Sequence, residues 1–400
     1  MTTINKDMIV LNTKEKDLKY IMHTYGRYDV ALKSGKGAVA YDEDGKKYID
    51  VSSGIGVNSL GYCDEGWVEA VSKQAGTIQH MSNYFYCEQA GTLAERLCTL
   101  TGLAKVCFGN SGAEANECAI KIARKYSFDK YGNGRNEIVT LKNSFHGRTV
   151  TTLSATGQDI FHNYFFPFTE GFKYAKADDI DALKSAVSGK TCAVMLELIQ
   201  GEGGVNILDK DYVQSLVKYC RDNDILVIVD EVQTGIGRTG SLFAFQKYEI
   251  LPDLVTVAKG LGGGLPIGLC ICSDKLKDVM SPSTHGTTFG ANPVVCAAAN
   301  YVLDRVTADG FLDEVNKKGA YLEEKLNALD GVKSVRRMGL MVGIELESGD
   351  AHDIAVRCVE NGLLIITAKD LLRMLPPLVI TNEEIDEAVK ILKTTLKEND

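Results

Sequence analysis

No apolar run in the 400 residues approaches the ~20 needed to cross a bilayer as a helix. The first twenty residues mix Lys6, Asp7, Lys14, Glu15, Lys16 and Asp17, with no apolar core of signal-peptide length. An excess of positive charge is also missing. The formal net charge of −9 argues against nucleic acid and anionic membrane as partners. The eleven cysteines make no C-x-x-C pair, and only Cys270 and Cys272 stand close together. That scatter argues against a disulfide framework or a zinc motif and suits reduced thiols in a cytoplasmic protein. The six histidines show no H-E-x-x-H spacing, so no metal is expected. There is no internal repeat and no low-complexity linker.

What is present fits a soluble globular chain of two domains. The 45% hydrophobic and 24% charged content excludes disorder, and the length allows a large core. Pro252-Asp253-Leu254-Val255-Thr256-Val257-Ala258-Lys259 reads as a buried strand that ends at a lysine, with Gly260 to Gly264 turning behind it. A desolvated lysine is a nucleophilic amine suited to a Schiff base with an aldehyde. The alternative is a strand-end lysine with its amine in solvent. Asp224 to Asp230 is a second apolar strand, ending in a carboxylate. An aspartate beside a reactive lysine suggests pyridoxal phosphate, whose ring nitrogen a carboxylate keeps protonated. Asp230 as a plain turn cap is the competing reading.

Other stretches fall into place around this pair. Ala38 to Val51 reads as a hairpin turning at Asp44-Gly45. Lys105 to Phe108 is a short strand that enters Gly109-Asn110-Ser111-Gly112-Ala113-Glu114-Ala115-Asn116-Glu117, where a helix opens. Such a turn is either an anion site or an ordinary capped helix start. Glu137 to Leu141 is followed by Phe145 and Arg148. Phe145 could cover a ring and Arg148 could grip a carboxylate, or they are a core and a surface residue. Ala193 to Gly204 is a further strand and loop carrying Glu197 and Glu202. Strands and helices alternate from about 100 to 275, which argues for a parallel or mixed sheet covered by helices, with ligands beyond the strand carboxyl ends. The last hundred residues read as a smaller α+β unit. Gly235-Ile236-Gly237-Arg238-Thr239-Gly240 matches G-x-G-x-x-G. No strong helix start follows it, and Asp230 in front would repel a pyrophosphate, so a dinucleotide site is rejected.

These residues together resemble the class III, ornithine-type aminotransferases of PLP fold type I along nearly the whole chain, most closely the acetylornithine group. The resemblance rests on Asn110 to Glu117, Ser144 to Thr149, Gln200 to Gly204, Asp230 to Gly235, Lys259 with its glycines, Thr287-Thr288-Phe289 and Leu372 to Leu378. It implies an α/β fold with residues 51–298 as a large PLP-binding domain, 299–400 as a small α+β domain, and 1–50 joining the small one. It implies that Lys259 carries the cofactor and moves the proton, and that Asp230 pairs with the ring nitrogen. Ser111, Gly112 and Ala113 would hold the phosphate, Phe145 the ring face and Gln233 the ring hydroxyl, with Glu231 and Val232 also at the cofactor. Thr288 would reach the phosphate of a neighbouring subunit in a homodimer. Arg148, Thr287 and the arm residue Tyr25 would contact the amino-acid substrate, and Glu202 with Arg373 would form a gate.

The implied reaction moves the δ-amino group of N2-acetyl-L-ornithine to 2-oxoglutarate, in arginine biosynthesis. Ornithine, succinylornithine, 4-aminobutyrate and succinyl-diaminopimelate aminotransferases share the motifs. An aminomutase needing no 2-oxo acid, or a regulatory protein on the same fold, are further readings; intact Lys259 and Asp230 argue against the last. Three stretches depart from the family pattern. Leu198 stands where proline is common, Gly61-Tyr62-Cys63-Asp64-Glu65 replaces G-H-C-H-P, and Ala291 replaces a glycine. These leave the cofactor site intact and bear on the acyl pocket.

Overall fold

The computed structural model describes residues 11–398. The part of the N-terminal arm before residue 11 lies outside them. At the centre is a seven-stranded sheet. We label its strands β1 (Lys105–Gly109), β2 (Glu137–Leu141), β3 (Phe172–Ala175), β4 (Thr191–Leu196), β5 (Leu226–Asp230), β6 (Leu254–Ala258) and β7 (Gly268–Cys272), in the order β1-β7-β6-β5-β4-β2-β3. All neighbours are parallel except β7, which is antiparallel to both β6 and β1. Strands β4 to β7 are buried at every position, and accordingly read as near-continuous apolar runs, as sheets covered on both faces do.

Successive side chains of a strand point to opposite faces. Leu226 and Ile228 of β5 therefore join one core with Met195, Leu254 and Cys270, while Val227 and Val229 join the other. The first core is roofed by α1 (Gly112–Tyr131), through Cys118, Ala119, Ile120, Ile122 and Ala123. Helix α1 opens where Ser111 accepts a hydrogen bond from Glu114 N at 3.2 Å, a standard N-cap. It ends at Gly132, in the positive-φ conformation that glycine tolerates. The sequence pattern carried this helix only to about Lys125; the amphipathic face continues a further turn and a half.

Two four-stranded sheets lie beside this body. Val332–Met338, Met341–Leu346, Leu371–Met374 and Ile366–Ala368 pair antiparallel in that order, with helices Phe311–Asn327, Ala351–Glu360 and Asn382–Lys397 about them. The N-terminal hairpin Val39–Asp42 and Lys47–Asp50 turns at Gly45, φ 83°. Its second strand pairs in parallel with Leu363–Leu364, tying the N-terminal segment to the C-terminal unit. The glycine-rich stretch 235–240 forms turns, and the element after it is the four-residue helix Ala244–Lys247.

Candidate active site

A cavity of about 490 Å³ opens beyond the carboxyl ends of β1, β5 and β6. Asp230 and Lys259 both line it. Asp230 is the last residue of β5, and strand alternation turns it toward the α1 face. There it is held from three sides. Asn116 Nδ2 of α1 donates to Oδ2 at 2.8 Å, His146 Nδ1 lies 2.9 Å from the same oxygen, and Val232 N donates to Oδ1 at 3.0 Å. Asn116 Nδ2 also donates to His146 O at 2.7 Å, so the two orienting residues brace each other. With the carboxylate accepting, Nδ1 carries the imidazole proton. Neither Asn116 nor His146 was assigned a role from sequence. Both lie in quoted motifs, and Asn116 falls five residues after the cap, about one and a half turns along α1.

Lys259 leaves β6 differently. Simple alternation from Ala258 would send it to the face away from α1. Its backbone instead adopts φ 44°, a strained left-handed conformation for a non-glycine residue, and a 3₁₀ turn begins there. The break in alternation brings the amine to the same cavity as Asp230. Burial lowers the amine's pKa, and the charge of Arg373 lowers it further, against opposing pulls from Glu202, Asp230 and Glu197. An amine in such a setting is primed for nucleophilic use.

Glu197 stands just past the end of β4, lining the cavity with its carboxylate accepting from Phe145 N at 2.9 Å. Burial, and then the charge of Asp230, hold its pKa well above the ordinary carboxylate range. Sequence reading noted this carboxylate without giving it a task. Arg373 comes from the small sheet, on Leu371–Met374, and is 2% exposed. It donates to Glu202 Oε1 at 2.9 Å and to Gln233 Oε1 at 3.3 Å, while its Nε has no partner among the described residues.

The start of α1 forms one wall, with Ser111, Gly112 and Ala113 lining the cavity. First-turn N–H groups have no intrahelical acceptor, and the helix dipole adds to their pull on an anion. A Cβ on Gly112 would sit 2.7 Å from Val232 Cγ1, so only glycine lets that side chain close on the turn. A Cβ on Gly268 would collide with the Ser111 carbonyl. Phe145 lines the cavity, edge-on to Phe161 at 6.1 Å between centroids. Arg148 is at the mouth, its guanidinium 3.8 Å from the Phe161 ring centroid.

Six of the named residues, Glu202 and Arg373 among them, do not line the cavity. Glu231 is a correction: being next to Asp230 on an extended chain, it points to the opposite face, where its carboxylate accepts from Thr234 Oγ1 and from Phe245 N at 2.8 Å. Burial there raises its pKa to about 7. Thr287 accepts from Asn110 Nδ2 at 3.0 Å, beside the helix start, and Thr288 is exposed. Tyr25 is 76% exposed. The structure does not bring Tyr25, Thr287 or Thr288 into their own chain's cavity.

The residues fit pyridoxal phosphate. The fixed carboxylate suits a protonated ring nitrogen, the amine an aldehyde, and the N-terminus of α1 a phosphate cradled by Gly112. Asn116 Oδ1 and His146 Nε2 are buried without a partner among the described residues, which marks a site with polar capacity in reserve. The aminotransferase class-III family model matches residues 20–396. The chain is 51% identical over 387 residues to an acetylornithine aminotransferase of Haemophilus ducreyi, covering 96% of this chain and 98% of that one. Among solved structures, it resembles the N-acetylornithine aminotransferase of Stenotrophomonas maltophilia, with a TM-score of 0.83 and 34% identity over 94% of this chain and 98% of that one. It also resembles the ornithine aminotransferase of Toxoplasma gondii in which PLP partly occupies the active site, with a TM-score of 0.90 and 32% identity over 96% and 94%.

Proposed function

This chain belongs to the class III aminotransferases, and we propose that it transfers the δ-amino group of N2-acetyl-L-ornithine to 2-oxoglutarate. The products are N-acetyl-L-glutamate 5-semialdehyde and L-glutamate, as arginine biosynthesis requires. The relatives at 42–51% identity support the choice of substrate. The observation that carries the chemistry is the convergence of Lys259, on its strained backbone, with the braced carboxylate of Asp230 in one cavity.

Pyridoxal phosphate, when bound, supplies an electron sink for the carbon that loses its proton. The protein does the rest. Lys259 would hold the cofactor's aldehyde, and its free amine would carry the proton between the two carbons involved. Asp230 keeps the ring nitrogen protonated, and Asn116 and His146 keep Asp230 from turning. Ser111, Gly112 and Ala113 would hold the phosphate, Val232 and Phe145 would enclose the ring, and Gln233 would serve the ring hydroxyl.

Arg148 grips the carboxylate that both substrates share, with Thr287 and Tyr25 assisting from segments that a neighbour or a closing arm would bring nearer. Arg373 is needed only for the second carboxylate of glutamate. While acetylornithine reacts, Glu202 occupies Arg373 and spares a buried cation from facing a neutral CH₂. When glutamate arrives, Glu202 yields.

The working unit is a homodimer in which Thr288 completes the partner's phosphate site. Tyr84, Phe85, Tyr86 and Phe289 are exposed together around this loop, and Asn83 Nδ2 ties them to it through Thr287 O and Gly290 O, each at 3.0 Å. An apolar patch of this kind is typical of a surface that another chain covers. Among the described residues no helix is long and apolar enough to cross a membrane, in keeping with a cytoplasmic enzyme. The test is a half-reaction panel with acetylornithine, ornithine, succinylornithine and 4-aminobutyrate, followed by 2-oxoglutarate. Acetylornithine should have the highest kcat/KM. Another donor ahead of it would reassign the substrate, and turnover without any 2-oxo acid would mean an aminomutase.

A further inference from the structure

The fold gathers cysteines that the sequence scatters. Cys107 of β1 and Cys270 of β7 are direct cross-strand partners, and both face α1. Cys118 of α1 is in the same core cluster as Cys270, and Cys107 packs against it. His285 joins from the loop that follows β7. One ligand atom each of Cys107, Cys118 and His285 lie within 4.8 Å of one another.

We propose that Cys107, Cys118 and His285 are a binding site for a thiophilic divalent ion of the zinc type, with solvent as the fourth donor. Two thiolates and an imidazole are the donor set such ions select over harder cations. Zinc–ligand bonds of about 2.0–2.3 Å place tetrahedral donors roughly 3.3–3.8 Å apart, so the cluster has to contract by about 1–1.5 Å at most. Side-chain rotation of His285, on a half-exposed loop, supplies that movement. Two thiolates also balance the charge of the ion, so no further counter-ion is required.

The surroundings say what occupancy would do. Lys121 Nζ stands 3.0 Å from His285 Nδ1 and donates to Thr284 O at 2.8 Å, so the loop is already moored to α1. If the ion binds through Nδ1, it and Lys121 compete for one lone pair. Cys107 and Cys118 flank the turn that carries Ser111, Gly112 and Ala113, and His285 lies two residues before Thr287. A bound ion would therefore clamp the phosphate-binding turn and the Thr287–Thr288 loop to each other. This consequence rests on the proposed function; the site itself does not.

The experiment titrates the reduced holoprotein with Cd²⁺, read by the ultraviolet Cd–thiolate charge-transfer band, and then adds Zn²⁺. One Cd²⁺ per chain should bind and Zn²⁺ should displace it. His285→Ala and Cys107→Ser should each weaken binding by at least the ~10-fold that even an outer-shell change costs a metal site. Cys63→Ser, at an exposed thiol, should leave the titration unchanged. Circular dichroism and cofactor absorbance check that each variant is folded. A band of unchanged affinity in both site variants, or no saturable band in the wild type, overturns the proposal.

Discussion

Replacing Glu202 by alanine should improve one half-reaction and damage the other. Arg373 is 2% exposed and donates to Glu202 at 2.9 Å; its other contact is Gln233 at 3.3 Å, and its Nε is unpaired among the described residues. A hydrogen bond to a charged group contributes about 1.5–3 kcal/mol, equivalent to roughly 10–100-fold in an equilibrium. In the wild type that energy opposes glutamate, whose second carboxylate has to displace Glu202. Removing Glu202 should therefore raise kcat/KM for the glutamate half-reaction by up to about tenfold, with the gain limited by how far Glu202 swings clear. The acetylornithine half-reaction should fall by a similar factor, because Arg373 then faces an apolar chain unpaired, and acetylornithine's α-amine should begin to react in error. Folding should survive: Glu202 is 30% exposed, so the loss stays below the ~3–5 kcal/mol typical of breaking a fully buried pair. Arg373→Lys should do the reverse and hurt the glutamate half more, since an ammonium cannot present the planar fork. Single-turnover absorbance measures each half separately. Equal losses in both halves for both variants would refute the gate.

Four further outcomes are expected. Lys259→Ala should abolish turnover, and borohydride treatment of the wild type should leave reduced cofactor on Lys259; substantial transamination by the variant would count against the assignment. Asp230→Asn should cost at least ~100-fold in rate, because an amide lacks the charge and cannot accept from Asn116, His146 and Val232 together; near-normal rates would point to another carboxylate. Glu231 has a pKa raised from 4.5 to about 7, so the native state holds a proton that the unfolded chain gives up, and stability is fully present below 4.5 and lost as pH rises to about 7. Glu231→Gln should flatten that slope, by roughly 3 kcal/mol across the window, in denaturant midpoints taken from pH 4.5 to 8. Dilution to monomer, followed by sedimentation, should release the cofactor if Thr288 completes a neighbour's phosphate site; tight retention by a monomer would contradict it.

Strands β4, β5 and β6 were legible because burial on both faces writes them as largely apolar runs, and Asp230 and Lys259 sit where two of those runs stop, whereas β3 and β7 were not singled out. Lys259 was legible as a residue, but its direction was not. Alternation predicts the wrong face, and only the left-handed φ corrects it. The same alternation, applied to Asp230, shows why Glu231 belongs to the opposite core, although the motif puts the two side by side. Asn116 and His146 escaped because their partner is set by how α1 and the loop after β2 settle over the sheet, at sequence separations of 114 and 84. The Glu202–Arg373 contact, 171 residues apart, was suggested by family likeness alone. No local pattern encodes a contact between a turn and a strand this far apart in the chain.

The reversal of β7 bears on how the protein is made. Among the described residues, β7 is the sole neighbour of strand β1 in the sheet, and Gly109 pairs with Gly268, about 160 residues further along. On a translating ribosome the turn that opens α1 emerges long before the strand it must lean on. Asp230 and then Lys259 also emerge before that strand. The edge of the sheet therefore closes last, and a nascent chain has no finished anion cup to offer the cofactor until the whole central sheet is out. Loading becomes a checkpoint on completed synthesis. Pulse-labelled chains stalled before residue 268 should retain no cofactor, however far their earlier strands have folded.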